Sequence, residues 1–161
     1  MTETEWDSCR DPRLLVQILV RASRQKELHL FGCACCRRVW PLLSDERLRR
    51  GVEVRERYER ELATEEELKE AMRDARIARM DVRWPLILSG IRDDHAREAG
   101  PAWAAGSAAN ATYGNCHGAS DLAALAKACA DVGDWQRSYD AERAAQCDFL
   151  RSIVANPLGL A

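Results

Sequence analysis

Apolar residues recur at intervals of three and four along most of the chain, which is the spacing of helices with one buried face. The first such stripe predicts a short helix over about 12–22 and consists of Leu14, Leu15, Ile18 and Leu19. The same spacing predicts helices over about 23–43, 45–62, 64–84, 102–112, 121–132 and 134–155. In the fourth of these, Ile77, Met80 and Trp84 form a second apolar stripe, so we expect its second half to be covered on two sides.

Start and stop signals support these boundaries. Thr64 and Glu67 have the spacing of a capping box, in which each side chain accepts from the other residue's backbone N–H. Pro41 is expected to kink or end the second helix, and Pro85 to break or kink the fourth. The apolar run 86–91 reads as a buried helical turn or, alternatively, as a single strand.

The second helix is apolar over more than half of its circumference, so we expect it at the centre of the fold with several helices around it. Gly32, Ala34 and the cysteines on this helix would let neighbouring backbones approach closely. The apolar arc consists of Leu28, His29, Phe31, Gly32, Cys33, Cys35, Cys36, Val39, Trp40, Leu42 and Leu43.

Composition places these elements in one all-α domain. The 161 residues suffice for one hydrophobic core, and Ala, Leu, Glu and Arg, which favour helices over strands, dominate the chain. The prediction is a single helical bundle of about five to seven helices over 1–161. A segment rich in Gly, Ala, Ser and Asn, about 99–120, is expected to be loop-rich, with a loop carrying Cys116 and His117.

Charge and cysteine usage limit the classes of function. A net charge of −2 lacks the basic excess of a typical nucleic-acid binder, and the arginines of the third helix alternate with glutamates. The acidic start of the chain and the lack of a bilayer-length apolar run favour a cytoplasmic protein that does not bind membranes. The odd number of cysteines, seven, then favours reduced thiols.

Three sequence motifs resemble a paralogous protein family of planctomycete bacteria. They are Trp6-Asp7-Ser8-Cys9-Arg10-Asp11-Pro12, Leu30-Phe31-Gly32-Cys33-Ala34-Cys35-Cys36-Arg37-Arg38-Val39-Trp40, and Cys147-Asp148-Phe149-Leu150-Arg151-Ser152-Ile153 before Asn156-Pro157. The resemblance implies a bacterial cytosolic domain that is often part of longer proteins. It implies no activity, cofactor or catalytic residue.

His29, Cys33 and Cys36 are candidate metal ligands. Their spacing of four and three places them along one side of a helix, and thiolate with imidazole is a ligand set suited to zinc. A closed tetrahedral site needs a fourth ligand, which Cys116, His117 or Cys9 would supply. Cys35 points away from the other two thiols, so one ion cannot easily bind all three.

Two other interpretations of the cysteines stay open. Cysteine is among the most buried residue types and serves as a small apolar residue at tight helix contacts. Alternatively, one thiol is reactive because Arg37 and Arg38 lower its pKa.

Asp94, His95 and Glu98 form a second polar cluster, suited to a hydrated divalent ion or to acid–base chemistry. The sequence shows no Ser/His/Asp set, phosphate loop or dinucleotide fingerprint, and it identifies no catalytic residue.

The leading functional hypothesis is therefore a non-catalytic helical protein-interaction or regulatory domain, with a protein partner or a homo-oligomer. It predicts an exposed apolar patch or a dimer interface. A zinc-type metal-binding protein and a metal-dependent enzyme are the alternatives. The tryptophans at 6, 40, 84, 103 and 135 are expected first as core anchors.

Overall fold

A computed structural model describes residues 2–88, 100–130 and 134–154. Over these residues the chain forms α-helices, one short 3₁₀ helix and no strand, which confirms the all-α bundle. The helices are α1 (Glu3–Ser8), α2 (Pro12–Arg21), α3 (Gln25–Arg38), α4 (Glu46–Glu59), α5 (Glu65–Leu88), α6 (Gly100–Thr112), α7 (Cys116–Ala130) and α8 (Trp135–Ile153), with the 3₁₀ turn at Trp40–Leu42.

Helix α3 lies at the centre, as its broad apolar arc predicts. It packs against α2, α4, α6, α7 and α8. Helices α4, α5, α6 and α7 form one continuous run of neighbours, because α4 packs on α5, α5 on α6 and α6 on α7. Leu28, Phe31 and Cys36 of α3 are fully buried in the main core. In the described residues, no helix combines the length and the apolarity that crossing a membrane demands.

Small residues let these helices approach closely. The buried positions of α6 and α7 are mostly alanines. A Cβ at Gly32 would lie 3.4 Å from the Cα of Cys116 and 3.7 Å from the Cα of Ala111. The close approach expected at Gly32 is therefore confirmed, and it brings α3 against both α6 and α7.

The capping box at the start of α5 is confirmed. Glu67 Oε2 accepts from the Thr64 backbone N–H at 2.7 Å, and Thr64 Oγ1 accepts from the Glu67 N–H at 3.2 Å. Helix α3 ends at Arg38, just before Pro41, also as expected. Helix α1 was not predicted, although Thr2 and Glu5 form a second capping box at its start.

Of the break or kink predicted at Pro85, the break is wrong. Helix α5 continues through Pro85 to Leu88, which makes the described part of the 86–91 run helical. A proline inside a helix removes one N–H donor, here the one that would bind the Asp81 carbonyl. The residues of the adjacent turns keep their backbone N–H donors, so the helix continues.

The loop expected to carry Cys116 and His117 is also corrected. Both residues belong to the first turn of α7, and a turn of only three residues, 113–115, separates α6 from α7. Asn115 starts α7: its Oδ1 accepts from the Gly118 N–H at 3.1 Å. Gly114 has φ +80°, a conformation that glycine adopts easily, and it forms the tight turn between α6 and α7. Glycine in this segment therefore marks a tight turn and not a long loop.

Candidate functional site

The thiols of α3 are packed into the core. Cys33, Cys35 and Cys36 are all buried, and all seven cysteines are free. Cys36 Sγ lies 3.2 Å from Ser107 Oγ of α6, and Cys33 Sγ lies 3.9 Å from the Val52 carbonyl of α4. Cys33 and Cys36 thus contact different neighbouring helices.

Burial raises the pKa of each of these thiols. The pKa of Cys36 rises to about 12, and those of Cys33 and Cys35 also lie well above the usual range. The cause is removal from water, which disfavours the thiolate. Arg37 does act to lower the pKa of Cys36, as expected, but burial raises it by more, so the net shift is opposite to that of a reactive thiol.

Arg37 and Arg38 are instead bound to carboxylates. The Arg37 guanidinium donates to both oxygens of Glu56, at 3.1 and 2.7 Å, and lies 4.0 Å above the centre of the Trp40 ring. Arg38 Nε donates to the buried Glu142 of α8 at 2.6 Å. Both cations tie α3 to neighbouring helices.

His29 points to α4 and to its own helix. Its Nδ1 lies 2.6 Å from Glu59 Oε1, and its Nε2 lies 2.7 Å from Gln25 Nε2. A Cβ at Gly114 would lie 2.7 Å from His29 Nε2, so the imidazole also rests against the turn between α6 and α7. Both ring nitrogens are engaged within the protein.

The sequence interpretation missed Arg55, which completes this cluster. Arg55 is buried, donates to Glu59 Oε1 at 3.1 Å, and donates twice to the Thr112 carbonyl at 3.0 and 2.7 Å. The last carbonyls of a helix have no intrahelical donor, so Arg55 caps the end of α6. The spacing of Arg55 and Glu59, one helical turn apart, was the available signal.

Two other candidate ligands, Cys116 and His117, lie at the start of α7. Cys116 is buried and its pKa is raised by burial, while His117 is half-buried in the first turn of α7. Among the described residues, no group of three or more His, Cys, Asp or Glu side chains is arranged to hold a metal ion. Asp94, His95 and Glu98 lie outside the described residues.

Helix α8 buries a polar network. Glu142 and Gln146 interrupt its apolar stripe, and both are buried. Gln146 accepts from Ser120 Oγ at 2.7 Å and donates to the Ser120 carbonyl at 3.1 Å. Arg143 donates to Asp121 and to Asp11, which joins α8 to α7 and to the start of α2.

The tryptophans divide between core and surface. Trp6 is buried and Trp40 packs against the core, as expected. Trp103 and Trp135 are exposed, so the expectation of core anchors is wrong for both. Trp135 instead stacks on Tyr139 one turn later in α8, with ring centres 5.4 Å apart. The side chain of Trp84 lies outside the described part of the structure.

A surface on α5 combines apolar and basic side chains. Ile77 is 54% exposed and Met80 is 50% exposed, so the covering on a second side that their stripe predicts is absent from the described structure. Arg73 and Arg76 flank them and are exposed. We refer to Arg73, Arg76, Ile77 and Met80 as the outer face of α5.

A shallow groove adjoins this face. It has a volume of about 560 Å³ and is lined by Glu66, Lys69, Met72, Arg73 and Tyr113. The Tyr113 hydroxyl donates to the Met72 carbonyl at 3.1 Å, which fixes the ring between α5 and the end of α6. Arg73 belongs to both the groove and the outer face, so the two are continuous.

Several other charged residues of α5 are paired within the chain. Lys69 pairs with Glu65, Asp81 with Arg47, and Glu70 and Asp74 lie near Arg50. Arg73 and Arg76 make no ion pair with the described residues. The outer face therefore carries positive charge that its own neighbours do not neutralise.

No protein-family model, curated protein or solved structure matches this chain.

Proposed function

We propose that this chain is a non-catalytic protein-interaction domain that docks a protein on the outer face of α5. The carrying observation is the exposure of Ile77 and Met80, which lie one turn apart on the side of α5 opposite its buried residues. Apolar and arginine side chains in one patch are typical of the centre of protein interfaces. This is the exposed apolar patch that the interaction hypothesis predicts.

Burial of this patch supports binding energetically. Full burial of an isoleucine or methionine stabilises by about 1.5–3 kcal/mol, and about half of each side chain is still exposed here. Arg73 and Arg76 can donate hydrogen bonds to a partner without first breaking an ion pair with the described residues. The adjoining groove accepts a side chain beside Tyr113.

The side chains that could take part in catalysis or metal binding make contacts inside the protein. The thiols of α3 are buried with raised pKa values, His29 is held by Glu59 and Gln25, and Glu142 is buried beside Arg38. These contacts support a domain whose polar groups hold the bundle together while its surface recognises a partner.

Photo-crosslinking in the cells that produce the protein tests the proposal. A photoreactive phenylalanine analogue replaces Ile77 in one variant and Leu14 in a control, because Leu14 of α2 is similarly exposed at 46%. We expect a discrete crosslinked product of defined mass with position 77 and none with position 14. Absence of any product at position 77, in protein that is folded, would overturn the proposal.

A further inference from the structure

We infer that the protein docked on the outer face of α5 is a second copy of this chain, bound about a two-fold axis with the two α5 helices antiparallel. This inference rests on the proposed function and names its partner. It is carried by the order of charges along one ridge of α5.

Arg73, Ile77 and Asp81 lie four residues apart and therefore form one ridge along the helix surface. Its order is positive, apolar, negative. A two-fold axis at Ile77 brings the ridge against its own reverse, so each Arg73 meets the Asp81 of the other copy and the two Ile77 side chains meet each other. The ridge is thus complementary to itself only when antiparallel.

The state of these charges in one chain fits this pairing. Arg73 makes no ion pair with the described residues, so its guanidinium is available. The side chain of Asp81 is 57% exposed and its Oδ2 accepts from Arg47 at 2.7 Å. A carboxylate accepts several hydrogen bonds, so Asp81 can bind Arg73 of the second copy while keeping Arg47.

The neighbouring residues extend the contact. Met80 lies beside the ridge on the same exposed side of α5, where it adds apolar surface next to Ile77. Helices whose i, i+4 ridges are aligned and pack into each other's grooves cross at about −50°, which confines the contact to the turns near the axis. A contact of this extent is typical of weak, concentration-dependent dimers.

Sedimentation equilibrium of the purified full chain tests the inference. The average mass should rise from the 18.1 kDa of one chain toward twice that value as the concentration increases to about 1 mM. Arg73→Asp and Asp81→Arg should each weaken dimerisation at least about tenfold, because each places like charges opposite one another. The double variant restores the opposite-charge pairs and should return dimerisation to within about threefold of the original.

Arg10→Asp is the matched control, since it makes the same charge change at an exposed position before α2 and should leave dimerisation unchanged. Circular dichroism of every variant establishes that it is folded. The inferred dimer would be contradicted if the chain stayed monomeric at all concentrations. It would also be contradicted if neither single charge reversal weakened dimerisation. A crosslinked product between position 77 and a different protein would contradict the second copy as partner, but it would support the proposed function.

Discussion

Burial decides what the reactive side chains of this protein do. Cys33 and Cys36 share a helix face with His29, as their spacing predicts, but the three side chains contact different residues of the neighbouring helices. Position along one helix can be read from sequence, whereas the partner supplied by another helix depends on packing across the bundle. For this reason the spacing of His29, Cys33 and Cys36 could be predicted, and their contacts with Glu59, Val52 and Ser107 could not.

The buried Cys36 thiol should make the protein sensitive to alkali. Its pKa rises from about 9 to about 12 on folding, so its contribution to stability is complete below pH 9 and is lost as pH rises toward 12. One such thiol lowers the free energy of unfolding by about 1.4 kcal/mol per pH unit in that window. Cys36→Ser cannot lose a proton there, so its free energy of unfolding should fall less steeply by about that amount.

Urea unfolding of both proteins between pH 7 and about 10.5 measures this difference. Circular dichroism at pH 7 serves as the folding control. Parallel pH profiles above pH 9 would contradict the account of Cys36.

At the scale of elements, close helix approach depends on glycine and alanine. Helices α3, α4, α6 and α7 meet at Gly32, Gly51 and the alanines of α6 and α7. In the sequence, the same small residues are typical of a loop. For this reason the start of α7 was predicted at about residue 121, whereas the helix begins at Cys116. Capping boxes are easier to predict from the sequence. The box of Thr64 and Glu67 was predicted, and the same spacing at Thr2 and Glu5 would have predicted the start of α1.

Gly51→Ala should destabilise the contact of α4 with α6. The added Cβ would lie 2.6 Å from Thr112 Oγ1, and that hydroxyl is fixed by its hydrogen bond to the Ala108 carbonyl. Overpacking of this kind costs about 1–3 kcal/mol. Thermal and urea unfolding measure the loss.

Thr112→Ala removes the obstructing atoms, so in the double variant Gly51→Ala should cost at least about 1 kcal/mol less than it does alone. Gly100→Ala is the control, because its Cβ would meet nothing closer than 3.7 Å. Equal and additive effects of Gly51→Ala in both backgrounds would show that Thr112 is not the obstacle.

At the scale of the whole molecule, the internal polar clusters and the outer face of α5 have different roles. The clusters around Arg55 and Gln146 join helices distant in sequence, and the outer face leaves apolar side chains to solvent. The stripe of Ile77 and Met80 was visible in the sequence as a face that needs a cover. Whether that cover comes from within the chain depends on how the helices assemble, and the described structure supplies none.

Oxidative footprinting of Met80 tests most directly whether a partner covers this face. Brief exposure to hydroxyl radicals oxidises accessible methionine to its sulfoxide, and mass spectrometry measures the extent at each methionine. Met80 should be oxidised in dilute purified protein, because its side chain is half-exposed, and at least about twofold less in the cells that produce it, at a matched radical dose. Equal oxidation of Met80 in both settings would contradict an interaction through the outer face of α5.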